Sequence, residues 1–205
     1  MNTEKPNRFQ RRKQRTRNAL KQAAMDLLLA YGYDNLTVQA ITDRADFARG
    51  TFYVHFADKD DIVWALLEES MASLLKDTIG HITNESPMRR KYLLWQRVFL
   101  YAQENQALLR VLVGENGHPA YAVKIQDFFG TIIEQGIKDG TFDPQIDVGL
   151  PPEFLAQFMT GALVRLMLWS LDTDYMPSQL AQMFYEVIYR EPMPPELARQ
   201  ESRSY

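Results

Sequence analysis

A chain of 205 residues that is 46% hydrophobic carries enough apolar material for one good-sized core, or for a small module beside a larger one; disorder over most of its length is excluded. With no cysteine, it has no disulfide scaffold, thiolate nucleophile or thiolate metal site, and a reducing cytoplasm is the expected compartment. The net charge of -3 hides an asymmetry: residues 1–60 hold 11 Lys and Arg against 7 Asp and Glu, the remainder 12 against 19.

The opening run MNTEKPNRFQRRKQRTR is charged and lacks an apolar stretch, so neither a signal peptide nor an N-terminal anchor is expected. Residues 1 to about 10 read as a flexible basic arm. Lys5 to Lys21 is the densest positive segment, where an electrostatic footprint for phosphate is expected. A first helix is predicted from near Arg15 to Tyr31, because Leu20, Ala23, Ala24, Leu27, Leu28 and Tyr31 recur at three- and four-residue spacing. Gly32 then ends it in the left-handed region.

Thr37 is suited to N-cap a short helix with Val38, Ile41 and Ala45 inside. Asp46, Phe47 and Ala48 leave room only for a turn. The next helix, of two turns, opens at Arg49 and buries Phe52 and Phe56. Two short helices so joined predict a helix-turn-helix. Asp58 caps a long helix reaching about Gly80, with Asp60 and Asp61 against its positive end. Helices are also expected over 87–105, 106–113, 119–138, 151–171 and 177–190, several opening on proline. The run from Phe154 to Leu171 is the most membrane-like, yet Arg165 inside it would cost roughly 2.5–3.5 kcal/mol at a bilayer centre, so a buried interface helix is expected and no membrane partner. No stretch alternates with period two, and the fold class is all-α.

A helix that hides Phe52 and Phe56 presents Gly50, Thr51, Tyr53 and Val54 outward, as a helix entering a DNA major groove must. Gly50 allows close backbone approach, Val54 suits a thymine methyl, and Thr51 and Arg49 suit hydrogen bonds to a base or phosphate. Thr37 stands where a helix N-terminus meets phosphate, with Gln39 just inside, and Arg17 joins them from the basic segment. Across Leu36 to Ile62 the sequence resembles the DNA-binding domain of the tetracycline-repressor family. The resemblance rests on Gly32, Thr37, Val38, Ile41, Ala45, Arg49, Gly50, Thr51, Tyr53, His55, Phe56 and Lys59, in the family's order and spacing. It implies that Tyr53, His55 and Lys59 touch phosphate and set the register of the recognition helix. Two positions depart from the pattern: Asp46, where the family usually has glycine, and Ala48, where it usually has a capping Ser or Thr; the lost cap is worth about 1 kcal/mol.

The resemblance also implies a C-terminal helical bundle for ligand binding and dimerisation. In the aromatic-rich stretch from Pro87 to Lys138, Trp95, Phe99 and Phe128 are the expected contacts for a mostly apolar small-molecule effector. Phe158, Ala162, Leu166, Phe184 and Val187, on the last two helices, are the expected homodimer face, with Gly161 and Ala162 permitting close approach. The expected domains are 1–57, a helix-turn-helix domain with its basic arm, 58–190, the ligand-binding and dimerisation domain, and 191–205, a flexible tail. The function implied is a ligand-responsive regulator, most simply a repressor, binding a palindromic double-stranded operator. A helical carrier or enzyme built on the aromatic bundle, an architectural DNA protein and an activator remain as alternatives. His55, His81 and His118 lie in unrelated contexts, and no cofactor, metal site or catalytic set is expected.

Overall fold

The computed structural model describes residues 7–82, 85–114, 118–140 and 150–189. Regular structure among the described residues is entirely helical: α1 (Arg8–Tyr31), α2 (Val38–Ala45), α3 (Arg49–Tyr53), α4 (Lys59–Ile82), α5 (Pro87–Glu104), α6 (Gln106–Val113), α7 (Pro119–Lys138), α8 (Pro152–Ser170) and α9 (Pro177–Tyr189). The chain divides into two compact units, Met1–Ala72 and Ser73–Tyr205.

The division falls inside α4 rather than at 57/58. The reason is burial: Ile62, Val63 and Leu67 in the first turns of α4 are fully buried and belong to the first unit's core, together with Leu20, Ala24, Leu28, Ile41, Phe52 and Phe56. The 191–205 tail lies outside the described residues.

In the first unit, α1 begins at Arg8, earlier than apolar periodicity predicts, so the flexible arm does not extend to residue 10. Asn7 and Gln10 form a reciprocal capping box: Gln10 N–H donates to Asn7 Oδ1 at 2.8 Å, and Asn7 N–H donates to Gln10 Oε1 at 2.9 Å. At the other end Gly32, with φ 78°, donates its N–H to Leu28 O at 2.9 Å. Tyr31 is exposed, not part of the buried stripe.

α2 starts as expected, with Ala40 N–H donating to Thr37 Oγ1 at 3.1 Å. Its inner face includes Thr42, fully buried, whose hydroxyl bonds back to Val38 O and Gln39 O and so needs no partner elsewhere. Asp46 adopts the left-handed conformation that a glycine would take, with φ 57° and ψ 47°, and Phe47 N–H closes the turn on Thr42 O at 3.0 Å. Aspartate is among the few residues that tolerate this region, so the departure from glycine leaves the turn intact.

α3 has five residues and not two full turns. Ala48 supplies no capping side chain, and after Tyr53 the chain continues as a turn in which His55 N–H and Phe56 N–H both donate to Phe52 O at 2.9 Å. α4 is capped as predicted: Asp61 N–H donates to Asp58 Oδ1 at 2.8 Å, and the Asp61 carboxylate receives Ala57 N–H at 2.9 Å.

In the second unit α7 packs on α8, and α5 packs on α9 and α8. Leu155, Met159, Leu163 and Met167 form the inner face of α8, against Phe129 and Ile133 among the buried residues of α7. Gly130 of α7 lies against Thr160 of α8, while Gly161, expected to permit close helix approach, faces open space within the chain.

Phe52 anchors the shortest helix, and its truncation leaves a cavity that five residues of helix cannot close. Phe52→Ala is expected to lower stability by about 3–5 kcal/mol, measured by urea unfolding followed by helical circular dichroism.

Candidate nucleic-acid interface

A helix of five residues has no stability of its own, so its orientation is dictated by what it buries. Phe52 and Phe56 are both buried, their ring centroids 5.6 Å apart. With these rings turned inward, Arg49, Gly50, Tyr53 and Val54 face solvent, Tyr53 at 51% and Val54 at 65% exposure, and Thr51 is half-buried. Beyond the backbone of its own helix and its chain neighbours, no atom lies within 4 Å of where a Cβ on Gly50 would stand. The structure thus brings the five sequence-predicted groups of α3 and its exit onto one open surface. Arg49 Nη2 donates to the Tyr53 hydroxyl at 3.4 Å, linking two of them.

Thr37 and Gln39 are exposed at the start of α2. The Thr37 hydroxyl accepts the Ala40 N–H, and the Gln39 amide donates to Asp43 Oδ1 at 2.7 Å.

Three of the expected DNA contacts lie against the protein as well, and two of them are braces. Arg17 donates from Nη1 to His55 O at 2.8 Å and lays its guanidinium over the Phe56 ring, 4.2 Å from the centroid. α1 thereby fixes the exit of α3 across 38 residues of sequence. Lys59 sits with Nζ 4.3 Å from the Tyr33 ring centroid and donates to Tyr33 O at 3.3 Å. The Tyr33 hydroxyl, in turn, donates to the Asp60 carboxylate. His55 is half-buried and its Nδ1 has no hydrogen-bond partner among the described residues. No local pattern in the sequence signals the Arg17, Lys59 and Tyr33 contacts, because each joins elements distant in the chain. Arg44 and Asp26 tie α2 to α1 in the same way, Arg44 donating from Nη2 at 2.8 Å.

In the second unit Trp95 and Phe99 are buried, and both pack edge-on against Phe184, at 4.8 and 6.2 Å between centroids. Phe184, placed by sequence on the dimer face, is therefore a core residue: the apolar stripe of α9 is wide enough to serve two faces, and Phe184 falls on the inner one. Phe128 is half-buried with its ring edge-on to Phe129. The remaining face residues differ: Phe158 and Val187 are exposed, 56% and 69%, and Ala162 and Leu166 are partly so. Among the described residues no helix is long and apolar enough to cross a membrane.

A tight helix-turn-helix, held by aromatic anchors and offering a polar and small-residue surface on its second helix, defines a DNA-reading module followed by a second helical unit. The comparisons with known proteins agree. Residues 20–66 match the family model described as bacterial regulatory proteins, tetR family, and residues 93–190 match one described as a transcriptional regulator C-terminal region. The chain belongs to the tetR family of transcriptional regulators. It is 26% identical over 189 residues to the HTH-type transcriptional regulator YxbF of Bacillus subtilis, covering 90% of this chain and 47% of that one. It thus spans about half the length of that relative. It is 24% identical over 143 residues to the fatty acid metabolism regulator protein of Bacillus subtilis, covering 65% of this chain and 74% of that one. The fold is shared with the fatty acid degradation regulator FadR of Bacillus halodurans, with TM-score 0.61, 17% identity, and 91% and 97% of the two chains covered. The Bacillus subtilis FadR structure in complex with stearoyl-CoA gives TM-score 0.61 at 20% identity, over 84% of this chain and 97% of that one.

The His55 pKa is held below the ordinary histidine value, first by burial, then by the charges of Lys13 and Arg17. The folded protein then binds fewer protons at this site than the unfolded chain. Its contribution to stability is intact above the unfolded value near 6.5, and is lost as pH falls through that value towards the lower folded one. Between about pH 7 and about pH 5 the wild type is expected to lose thermal stability more steeply than His55→Gln, as followed by melting temperature across that range.

Proposed function

We propose that this chain is a ligand-responsive transcriptional repressor that binds a palindromic operator as a homodimer. The observation that carries the DNA-binding part is the surface of α3: Gly50, Thr51, Tyr53 and Val54 turned outward by the burial of Phe52 and Phe56. In the roles proposed, Thr51 and Val54 read base edges, Arg49 reaches a base or phosphate, and Gly50 admits the backbone to the groove. Thr37, Gln39, Tyr53, His55, Lys59 and Arg17 serve position. Arg17 and Lys59 do so doubly, because each holds the module together while offering charge to the phosphate backbone.

Support for the homodimer is an apolar face left open on the last two helices. Phe154, Phe158 and Trp169 follow one side of α8, and Met183 and Val187 one side of α9, all substantially exposed. Five large apolar side chains left exposed on the last two helices are the kind of surface that marks an association site. A second copy is the partner that a self-complementary patch selects, and a palindromic site matches its two-fold symmetry.

The effector reading rests on two buried polar atoms in the second unit. Arg97 Nε and Thr160 Oγ1 have no hydrogen-bond partner among the described residues, and natural interiors rarely leave such atoms unpaired. An elongated, mainly apolar molecule with a polar or anionic end would satisfy them. The neighbour bound to stearoyl-CoA and the relative named for fatty acid metabolism favour an acyl-type effector. Trp95 and Phe99 would then form the apolar wall of such a site, with Phe128 at its margin. Operator release would follow from the ligand's differential affinity for two states of the protein, which bounds how far it can shift the balance.

Selection of bound duplexes from a random pool, with the mass of the protein in solution, tests the central reading. A palindromic site and a dimeric mass support it; no enrichment at moderate salt rejects it. On the selected site, Val54→Ala and Thr51→Ala are expected to change which sequence is preferred. Lys59→Ala should weaken all duplexes and flatten the salt dependence by up to about 0.9 in log-log slope. Equal effects from both sets would overturn the division of roles. Phe158→Glu and Val187→Glu are expected to give a monomer by sedimentation, with operator affinity reduced at least about tenfold, because only one half-site is then held.

A further inference from the structure

Gly130 stands in the middle of α7 and is buried, yet the usual reasons for a glycine are missing there. Its φ lies outside the left-handed region, unlike that of Gly32. Nor is the backbone crowded. At Gly114 an added Cβ would run into the Arg110 carbonyl. At Gly130, beyond the backbone of its own helix and its chain neighbours, a Cβ would meet only Thr160 Oγ1 at 3.7 Å and Gln157 Nε2 at 3.8 Å. Both are ordinary contact distances, so alanine fits. Alanine is also the better helix former and would bury more apolar surface. A buried helix position that takes glycine where alanine fits holds open the space above its Cα.

The two atoms beside this space are both polar. Thr160 is 2% exposed, and its hydroxyl has no hydrogen-bond partner among the described residues. Helical threonines commonly return that hydroxyl to their own backbone: Thr42 donates to Val38 O and Gln39 O, Thr78 to Leu74 O at 2.6 Å, and Thr131 to Asp127 O at 2.9 Å. Thr160 makes no such bond. Gln157, three residues earlier on α8, is exposed and brings its amide to the same spot. A hydroxyl and an amide NH2 are neutral donors that can meet on one oxygen atom. Charge points the same way. The charged residues within four positions of Gly130, Gln157 or Thr160 are Asp127, Glu134 and Glu153, all acidic. A carboxylate or phosphate placed there would be repelled, and would lose hydration with no cation to replace it. A neutral carbonyl oxygen suits both the donors and the charge. The spot is buried at Thr160 and open at Gln157, which fits a molecule whose apolar part lies within the bundle and whose polar remainder leads outward.

We propose that Gly130, Gln157 and Thr160 form the seat of the effector's acyl carbonyl oxygen, with the Thr160 hydroxyl and the Gln157 amide donating to it above the bare Cα of Gly130. This rests on the acyl-effector reading above and deepens it, because an acyl thioester, ester or amide is thereby selected over the free acid. A methyl group on residue 130 would take the place of the oxygen.

The test uses the full chain and two probes held below their micelle concentrations. One is stearoyl-CoA; the other is octadecyl-CoA, the thioether that keeps chain and headgroup but lacks the carbonyl oxygen. By calorimetry the wild type should bind the thioester about tenfold more tightly than the thioether. Gly130→Ala and Thr160→Val should each bind the two probes within about twofold of one another. Without a probe, each should melt no lower than the wild type, since alanine favours the helix and valine removes an unpaired hydroxyl. A wild type that does not distinguish the probes, or either variant still distinguishing them, overturns the proposal while leaving the acyl-effector reading standing. A marked loss of melting temperature in Gly130→Ala also overturns it, because the glycine is then required by packing or by a structural water on Thr160. Binding of neither probe by the wild type would instead strike the acyl-effector reading itself, and the proposal with it.

Discussion

What α3 and its exit offer to solvent depends on the placement of Phe52 and Phe56. α3 is too short to be stable alone, and its hydrogen bonds are few, so the two buried rings determine which side chains face outward. The guanidinium of Arg17 over Phe56 then locks the exit of the helix to α1. The arrangement joins the two properties a reading head needs. The apolar contact gives depth without direction, and the Arg17 bond to the His55 carbonyl gives direction.

The charged groups of this unit divide into two kinds with different physics. Lys21, Lys59 and Arg17 are drawn against the protein: Lys21 is buried and paired with Glu69, Lys59 lies on Tyr33, and Arg17 lies on Phe56. Their long stems pack while their heads find partners. The arginines of the outer turns of α1 are exposed. Mobile ions screen exposed charges strongly and partly buried ones weakly, so salt acts chiefly on the second kind and leaves the contacts of the first with the protein itself largely as they are. The architecture therefore keeps its integrity over a range of ionic strength in which its outward electrostatics change greatly.

Signals confined to a few neighbouring residues are legible in the sequence. Thr37 caps α2, Asp58 caps α4, and prolines open α5, α7 and α9 where the sequence suggests. The Phe52 and Phe56 pair, one turn apart, marks the buried side of the recognition segment. What escapes has no local signature. The outer turns of α1 lack apolar periodicity and are held by a polar cap, Asn7 with Gln10, so apolar spacing does not reveal their helicity. Thr42 looks polar, but its hydroxyl is satisfied by its own helix, which frees it for the core. Phe184 illustrates the reverse ambiguity: a wide apolar stripe shows that a residue is covered without saying by what, and here the cover is Trp95 and Phe99. The braces of Arg17 and Lys59 depend on distant partners, which spacing cannot supply.

The position of the boundary between the two units, within α4 and not at a loop, has a consequence for how such proteins diversify. Ile62, Val63 and Leu67 complete the core beneath the reading head, so a head transplanted without them would arrive with an open floor. The unit that can be exchanged between regulators is therefore the first three helices plus the opening turns of the long one. A crossover is best tolerated where the helix leaves the first core, because a regular backbone joins a regular backbone there whatever lies on either side. New sensing bundles can be fitted to an old reading head at that seam without either core being reinvented.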